Sequence, residues 1–459
     1  NNAGKSDTNI IVILNYNEMS ISKNVGGMAK YLSSMRTKES YQRTKGRVER
    51  MLDKTPVIGK PVKNAVRNSK NAVKNMILHS TMFEDLGFHY IGPIDGHNLE
   101  ELEQGLMAAK AVNKPVFVHV NTIKGKGYAP AEANPGEFHG VGSFEIKTGN
   151  PDVVLSDSFS SIMGKELCEM GEKNKRLCAV TAAMKYGTGL QYFAKRFPER
   201  FFDVGIAEEH AVTFCAGLAS MNYVPVFAVY STFLQRGYDQ LLHDVCLQKL
   251  PVVFGIDRAG LVGADGETHQ GVYDIAYFST LPRGIKLFSP SSTNELCAML
   301  DYALTLDMPC AIRYNRGLLP SRECSHGTSL EDWEIIKRPK CVTVAATGRL
   351  LQNAAAACEG LDVGLVNARL LCPIEEKHIE LFENTRCLIT VEDGNADTGF
   401  GAQMSRLAAA HGKMRVVNLG VPNIPIEAAS IAEQDDFCGL TTEKLRKVIL
   451  EAVESVRGD

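Results

Sequence analysis

One acidic residue in the middle of the chain has a setting that suits proton-sharing chemistry. The string DVGIAEEHA (203–211) ends an apolar approach with a glycine, and Glu208 then precedes a helix predicted at 211–219. The dipole of a helix favours a negative charge at its first turn. An isolated acid at such a place is usually a capping residue. The residues that follow along the chain favour a functional interpretation instead.

Aromatic and basic side chains come at the ends of the next two apolar runs. Tyr230 ends the run at 224–230 and Phe233 lies three residues further on, while Arg258 follows the run at 252–256. The carboxyl ends of parallel strands meet at one edge of an α/β sheet, so these side chains would converge with Glu208 on one crevice. An aromatic pair three residues apart can also simply pack in a core. Spacing alone leaves that alternative open.

Alternating strand and helix patterns position these residues. Apolar runs predict strands at 10–14, 115–120, 177–182, 224–230, 252–256, 311–314, 342–346, 363–366, 388–391 and 416–419. Such alternation is typical of an α/β fold with parallel sheets and right-handed crossovers. A segment rich in Gly, Asp and Pro at 142–155 and a charged segment at 322–338 predict linkers. The predicted domains are therefore 1–150, 156–321 and 339–459.

The bulk composition excludes several classes of protein. The chain has 459 residues, 44% hydrophobic and 22% charged, with a net charge of −3. These values are ordinary for a globular protein of two or three domains. No apolar run reaches the length of a membrane span. The 12 cysteines form no Cys-x-x-Cys pair, which favours reduced thiols in an intracellular protein.

One stretch departs from this balance. Residues 23–74 are rich in lysine and arginine, opposed only by Glu39, Glu49 and Asp53. A basic stretch can be a nucleic-acid surface. Few aromatic residues accompany the charges, so we favour a solvated helical excursion with no nucleic-acid partner. The chain also begins Asn-Asn-Ala-Gly, which is neither an initiator methionine nor a signal peptide.

Five strings together resemble one family closely. They are GIAEEHAVTF (205–214), YSTFLQRGYDQLLHD (230–244), IDRAGLVGADGETHQG (256–271), YIGPIDGH (90–97) and KGKGYAPAE (124–132). These strings are similar to those of the 1-deoxy-D-xylulose-5-phosphate synthases, thiamine-diphosphate enzymes of the transketolase group. The resemblance implies a transketolase-like fold of consecutive parallel-sheet α/β domains. It makes 1–150 the C-terminal portion of a diphosphate-binding domain, 156–321 a pyrimidine-binding domain and 339–459 a transketolase C-terminal domain.

The resemblance also implies a cofactor site. Glu208 matches the acid that hydrogen-bonds the aminopyrimidine of thiamine diphosphate, and Tyr230 and Phe233 match the aromatic residues that pack against that ring. Asn17 matches a magnesium ligand, with the carbonyl of Met19 beside it, and Tyr128 matches a cofactor contact. The family's Gly-Asp-Gly metal motif is absent from this sequence. We therefore expect a longer parent protein, and expect this chain alone to be a poor catalyst.

Further positions match residues that act on substrate. His139 and His269 are candidates for proton transfer at the carbonyl oxygens, and Asp265 is a candidate for orienting the acceptor. Arg258 and Arg316 are candidate phosphate anchors because guanidinium groups are planar bidentate donors. All five roles are implied by the resemblance.

The implied reaction joins pyruvate to D-glyceraldehyde 3-phosphate. Carbon dioxide leaves, and the product is 1-deoxy-D-xylulose 5-phosphate, a precursor of isoprenoids, thiamine and pyridoxal phosphate. The resemblance further implies a homodimer with no membrane partner in a bacterial cytoplasm, with a plastid form left open. The alternatives are a transketolase-type two-carbon transfer, a pyruvate dehydrogenase component, an inactive fragment, and a cofactor-free scaffold with a nucleic-acid-binding arm.

The sequence departs from the family pattern at three places near these residues. Tyr16 stands where the family usually has aspartate, and Glu209 stands where it mostly has glutamine. Asn315 stands where a proline usually precedes the second phosphate anchor, Arg316. These three positions are where we expect this chain to differ from its relatives.

Overall fold

The computed structural model describes residues 2–6, 8–19, 24, 26–36, 81–150, 158–282, 284–317, 329–412 and 414–458. Most of the basic stretch 23–74 lies outside the described residues, as does part of each predicted linker. The chain divides into two compact units, Asn1–Asp152 and Val153–Asp459. None of the described helices is long and apolar enough to cross a membrane.

The first unit contains one small parallel sheet. Its strands are β1 (Ile11–Tyr16), β2 (His89–Asp95) and β3 (Val116–Asn121), and its helices are α1 (Gly26–Arg36), α2 (Met82–Asp85), α3 (Leu99–Lys110) and α4 (Ala129–Ala133), with a 3-10 turn at Ala3–Lys5. The strand order is β1-β3-β2. Both strand predictions in this unit are confirmed. β2 is absent from the predictions because a glycine and a proline interrupt its apolar pattern.

The second unit contains two larger sheets. Its strands are β4 (Leu177–Thr181), β5 (Phe201–Asp203), β6 (Val224–Tyr230), β7 (Val253–Asp257), β8 (Lys286–Phe288), β9 (Cys310–Arg313), β10 (Glu334–Lys337), β11 (Val342–Ala346), β12 (Gly364–Asn367), β13 (Leu370–Cys372), β14 (Cys387–Asn395) and β15 (Arg415–Val421). All the strands predicted in this part of the sequence are confirmed to within a few residues at their ends.

Helices cover these sheets. They are α5 (Phe159–Lys173), α6 (Gln191–Arg196), α7 (Glu208–Ser220), α8 (Ser231–Leu234), α9 (Tyr238–Gln240), α10 (Asp274–Phe278), α11 (Thr293–Ala303), α12 (Leu350–Ala357), α13 (Glu376–Glu380), α14 (Phe400–His411), α15 (Ile431–Cys438) and α16 (Thr442–Gly458). Short 3-10 turns lie at Pro198–Arg200, Gln235–Gly237, Gly263–Asp265 and Glu267–His269, and a π-helical turn at Leu241–Cys246.

The residues predicted to contact the pyrimidine ring lie near the carboxyl ends of the strands of the seven-stranded sheet. Its order is β13-β8-β9-β7-β6-β4-β5, parallel except for the β13–β8 pair. Tyr230 pairs with Asp257, and Ile256 pairs with Arg313. The carboxyl ends of β6, β7 and β9 are therefore level, so the residues that follow them leave the sheet side by side. Strands buried on both faces give these segments their continuous apolar patterns.

The five-stranded sheet has the order β10-β12-β11-β14-β15 and is parallel except for the edge strand β10. The prediction of a linker through residue 338 is wrong at its end, because β10 at Glu334–Lys337 pairs with β12. Its Glu334 and the preceding Trp333 are buried, although the segment reads as charged. Strand β13, which follows β12 in the sequence, completes the seven-stranded sheet. One cluster of buried apolar residues includes side chains from both sheets.

Candidate active site

Glu208 is the first residue of α7 and is almost completely buried. Its two carboxylate oxygens accept hydrogen bonds from Nη1 of Arg236, at 3.1 and 3.0 Å. Arg236 itself is half exposed. A buried carboxylate with a solvent-facing partner can exchange that partner for a ligand more easily than one sealed inside the protein. Sequence reasoning missed Arg236, although it lies three residues after Phe233, on the 3-10 turn that follows α8.

Two aromatic rings lie at the end of β6 and in the short helix α8 that follows it. The rings of Tyr230 and Phe233 are stacked, with centroids 5.7 Å apart and planes 16° apart. The guanidinium carbon of Arg258 lies 4.1 Å from the centre of the Tyr230 ring, and that of Arg236 lies 5.2 Å from the Phe233 ring. The His269 and Phe233 rings form a T-shaped pair, with their centroids 5.4 Å apart. The structure thus brings His269 to the aromatic pair.

Arg258 has a strained backbone and a dense set of partners. Its φ is +56°, in the left-handed region that few non-glycine residues adopt and that often marks functional sites. Nη1 donates to Oδ1 of Asp257 at 2.8 Å and to the carbonyl of Gly187. Asp257 is fully buried, and its burial raises the pKa of its carboxyl even though Arg258 opposes that change. Arg258 is therefore also a structural partner, which its sequence position did not reveal.

Asp265 lies between the two candidate phosphate anchors. Nη1 of Arg316 contacts Oδ1 of Asp265 at 2.8 Å, and Nε of Arg258 lies 3.9 Å from Oδ2. The side chain of Arg316 is 40% exposed, compared with 14% for that of Arg258. The Asp265 carboxylate accepts a hydrogen bond from Arg316 and lies within ion-pair distance of Arg258, so the two guanidinium groups are close enough to act on one small anion.

The predicted metal residues lie in the loop after β1. Met19 donates its backbone N–H to Oδ1 of Asn17 at 3.0 Å, and Glu18 between them has a φ of +63°. Amide and carbonyl oxygens suit a hard cation such as Mg²⁺. In the part of the chain that the structure describes, no three acidic, histidine or cysteine side chains gather to hold a metal. Tyr16, the departure from the family pattern, is buried, and its hydroxyl donates to the carbonyl of Ala29.

Tyr128 and His139 lie in the loops that follow β3. The Tyr128 hydroxyl donates to the carbonyl of Ile146 at 2.8 Å, and its ring packs against Phe138 and Phe144. Nδ1 of His139 lies 3.2 Å from Nζ of Lys124. Partial burial, followed by the Lys124 charge, lowers the pKa of His139. An exposed neutral imidazole of this kind can accept a proton.

The residues of the second unit fit an aminopyrimidine ring. Glu208 offers a buried carboxylate for a ring nitrogen, and Phe233 offers an aromatic surface for stacking. The hydroxyl of Ser231, the first residue of α8, is buried and has no hydrogen-bond partner among the described residues. A polar ligand at this edge would have both acceptors and apolar surface available.

Family models match this chain in three consecutive pieces. The model for 1-deoxy-D-xylulose-5-phosphate synthase matches residues 1–122. The models for the transketolase pyrimidine binding domain and the transketolase C-terminal domain match residues 158–322 and 331–445.

Curated relatives cover the whole chain. The 1-deoxy-D-xylulose-5-phosphate synthase of Caldanaerobacter subterraneus subsp. tengcongensis is 44% identical, across 100% of this chain and 75% of its own length. The chain belongs to the 1-deoxy-D-xylulose-5-phosphate synthase family. The synthase of Desulforudis audaxviator is 46% identical across 97% of this chain and 72% of its own length. That of Clostridium kluyveri is 43% identical across 99% and 74%.

Solved structures place the synthase family among the transketolases in fold. A split-gene transketolase, described as an inactive β4 tetramer, is 25% identical, covers 65% of this chain and 99% of its own, and has a TM-score of 0.59. The transketolase of Campylobacter jejuni is 17% identical, covers 96% of this chain and 72% of its own, and has a TM-score of 0.56. The transketolase-like α/β fold expected from the sequence is therefore confirmed.

Proposed function

We propose that this chain catalyses the decarboxylative condensation of pyruvate with D-glyceraldehyde 3-phosphate, which gives 1-deoxy-D-xylulose 5-phosphate and carbon dioxide. The observation that carries this proposal is the 44% identity to a curated synthase across the full length of the chain. The buried Glu208 and the stacked aromatic pair beside it supply the local chemistry that the reaction needs.

Thiamine diphosphate, when bound, supplies an ionisable carbon that acts as nucleophile and electron sink. Glu208 would hold a proton at the far ring nitrogen of the pyrimidine, as a general acid–base group close to the reacting system. Phe233 would stack against the ring, with Tyr230 behind it. Arg236 would keep Glu208 oriented, because it binds both oxygens of the carboxylate.

Two histidines are proposed for proton transfer at substrate oxygens. His269 meets the edge of the Phe233 ring, so it lies at the edge of the aromatic pair. His139 has a lowered pKa, caused by partial burial and then by Lys124, and is therefore a proton acceptor at neutral pH.

The two arginines around Asp265 are proposed to hold the phosphate of the acceptor aldehyde. Arg258 and Arg316 both reach this carboxylate, so a phosphate could replace or join it. Guanidinium groups bind phosphate with paired charge-assisted hydrogen bonds. Asp265 would pre-organise both arginines before the substrate arrives.

In the first unit, Asn17 and Met19 are proposed as oxygen ligands of Mg²⁺, and Tyr128 as a cofactor contact. The hydrogen bond from the Met19 backbone to Asn17 keeps the two oxygen-bearing residues together. We also propose a homodimer in a cytoplasmic compartment. The eleven described cysteines are all free, which suits a reducing compartment.

A carboxylate substitution tests the proposal with a matched neighbour as control. Glu208→Gln keeps the shape but cannot share a proton, so release of carbon dioxide from pyruvate should fall about a hundredfold or more. Glu209→Gln changes the adjacent, exposed acid and should leave the rate near that of the wild type. Deuterium exchange at the reactive carbon of added thiamine diphosphate reports the same step without turnover. Equal exchange rates in the two variants would refute the role of Glu208.

A further inference from the structure

Asn315 sits directly before Arg316, at the carboxyl end of β9, and is almost completely buried. Its side-chain amide donates two hydrogen bonds, one to the carbonyl of Ala259 at 2.7 Å and one to Oδ2 of Asp393. Ala259 is the residue that follows Arg258. One amide therefore joins the chain segments that carry the two candidate phosphate anchors.

The second partner of this amide belongs to the other sheet. Asp393 lies on β14 of the five-stranded sheet and is fully buried. Nη1 of Arg313 donates to its Oδ1 at 2.7 Å, and Nε of Arg349 lies 3.7 Å from its Oδ2. Burial opposes the charge, but the guanidinium groups of Arg313 and Arg349 lower the pKa of Asp393 overall. The carboxylate is thus a fixed, charged acceptor for Asn315.

Gly260 makes this approach possible. Its φ is +76°, and a Cβ atom there would lie 2.4 Å from Oδ2 of Asp393. The segment 258–260 therefore passes over Asp393 with no side chain between them. Its backbone also exchanges hydrogen bonds with Gly271, at 2.7 and 2.8 Å, so the segment is held on both sides.

We propose that Asn315 is a positioning residue that sets the separation of Arg258 and Arg316 and so determines the selectivity for a phosphorylated acceptor. This inference rests on the proposed role of the two arginines. Asn315 holds the carbonyl of Ala259, which follows Arg258, and itself directly precedes Arg316, so a shift of the amide would move both anchors.

The test compares two aldehydes that differ only in the phosphate. The kcat/KM values for D-glyceraldehyde 3-phosphate and D-glyceraldehyde are measured in the wild type, Asn315→Ala and Asn315→Leu, a side chain of similar size that makes no hydrogen bonds. Loss of the two buried hydrogen bonds should raise the KM for the phosphorylated aldehyde about tenfold. The kcat and the kcat/KM for the unphosphorylated aldehyde should stay within about twofold.

Asn367→Ala is the matched control. Asn367 is also buried at the end of a strand of the five-stranded sheet, and its amide donates to Ser291 and Glu295 across the same two sheets. Among the described hydrogen bonds, none joins Asn367 to the segments that carry Arg258 and Arg316. This variant should lose a similar amount of stability, measured by thermal unfolding, without any change in the ratio of the two aldehydes.

The outcomes separate the inference from the function on which it rests. A phosphate preference in the wild type that falls in both Asn315 variants but not in Asn367→Ala supports the inference. A preference that survives both Asn315 substitutions, or equal losses for both aldehydes, overturns it and leaves the arginines as anchors. A wild type that shows no preference for the phosphorylated aldehyde overturns the anchor role and the inference together.

Discussion

The carboxyl edges of the seven-stranded and three-stranded sheets hold their candidate residues in different ways. At the seven-stranded sheet, Glu208 and Arg258 are each held by a charged partner, Arg236 and Asp257. At the three-stranded sheet, Asn17 is held mainly by its own loop, and His139 contacts one lysine. The candidate residues of the first edge are therefore held before any ligand arrives, whereas the contacts of Asn17 and His139 come from residues close to them in sequence.

This difference predicts where substitutions will damage the protein as well as its chemistry. The candidate residues at the seven-stranded edge form ion pairs in which at least one partner is buried. Removing one partner therefore leaves a charge unpaired in a region of low dielectric constant. At the three-stranded edge, Asn17 is partly exposed and bonded to backbone, and His139 is exposed, so their removal should act on ligand binding alone. Activity and stability measured on the same variants can test this division.

The largest effect on stability should come from Asp393→Ala. This change leaves Arg313 buried with one charged partner fewer, which should cost about 3–5 kcal/mol in the free energy of unfolding. Asn17→Ala, at the other edge, should stay within about 0.5 kcal/mol. Urea unfolding measures both. Similar costs for the two variants would contradict the comparison.

Among variants that should keep the fold intact, Arg316→Ala should have the largest effect on the kcat/KM for the phosphorylated substrate. Its side chain is 40% exposed, so the fold should tolerate the change. Loss of a charge-assisted contact of about 2–3 kcal/mol predicts a thirty- to hundredfold lower kcat/KM for D-glyceraldehyde 3-phosphate, and little change for D-glyceraldehyde.

Arg258→Ala should lower the same ratio and also destabilise the protein, because Asp257 would remain buried without its charged partner, although the Ser160 hydroxyl would still donate to it. Thermal unfolding of the two arginine variants separates these effects. Equal stability of the two would mean that Arg258 acts only as an anchor.

Arg236→Met should have an intermediate effect. The change keeps the length of the side chain but removes the group that binds both oxygens of Glu208. We expect about a tenfold lower rate of deuterium exchange at the cofactor carbon, because a carboxylate without its partner is less well oriented. A rate equal to that of the wild type would leave Arg236 as a surface residue.

The smallest effect should be a pH dependence in the first unit. His119 is fully buried, and that burial lowers its pKa. The folded state then binds a proton less readily than the unfolded state, so stability should fall as the pH drops below the ordinary histidine value of about 6.5. The loss should be complete below the lowered pKa. His119→Gln should flatten the melting temperature between pH 7 and 5 relative to the wild type.

The strands and the level edge of the seven-stranded sheet could be predicted from sequence because each strand is a continuous apolar run. Asp257 and Arg313 end such runs, so the sequence alone predicts that Arg258 and Arg316 lie just beyond the carboxyl ends of β7 and β9. The partners of the charges could not be predicted in this way. Asp393 reaches Asn315 and Arg313 across 78 and 80 residues of sequence, and no local pattern encodes a contact at that separation.

The short strands were missed for a related reason. β10 carries a buried glutamate, Glu334, whose carboxylate accepts a hydrogen bond from the amide of Asn367 on the neighbouring strand. A charged residue satisfied by a distant partner looks like a surface residue in the sequence. β8 and β13 are only three residues long, too short for any periodicity to show.

Strand β13 also has a consequence for synthesis of the protein. It pairs with β8 and closes one side of the seven-stranded sheet, although it lies beyond β12 in the sequence. During translation, the sheet cannot be finished until Cys372 has left the ribosome, several seconds after β9 at about 5–20 residues per second. During that interval β8 is an unpaired edge strand, so nascent chains on the same polysome can pair with each other at β8.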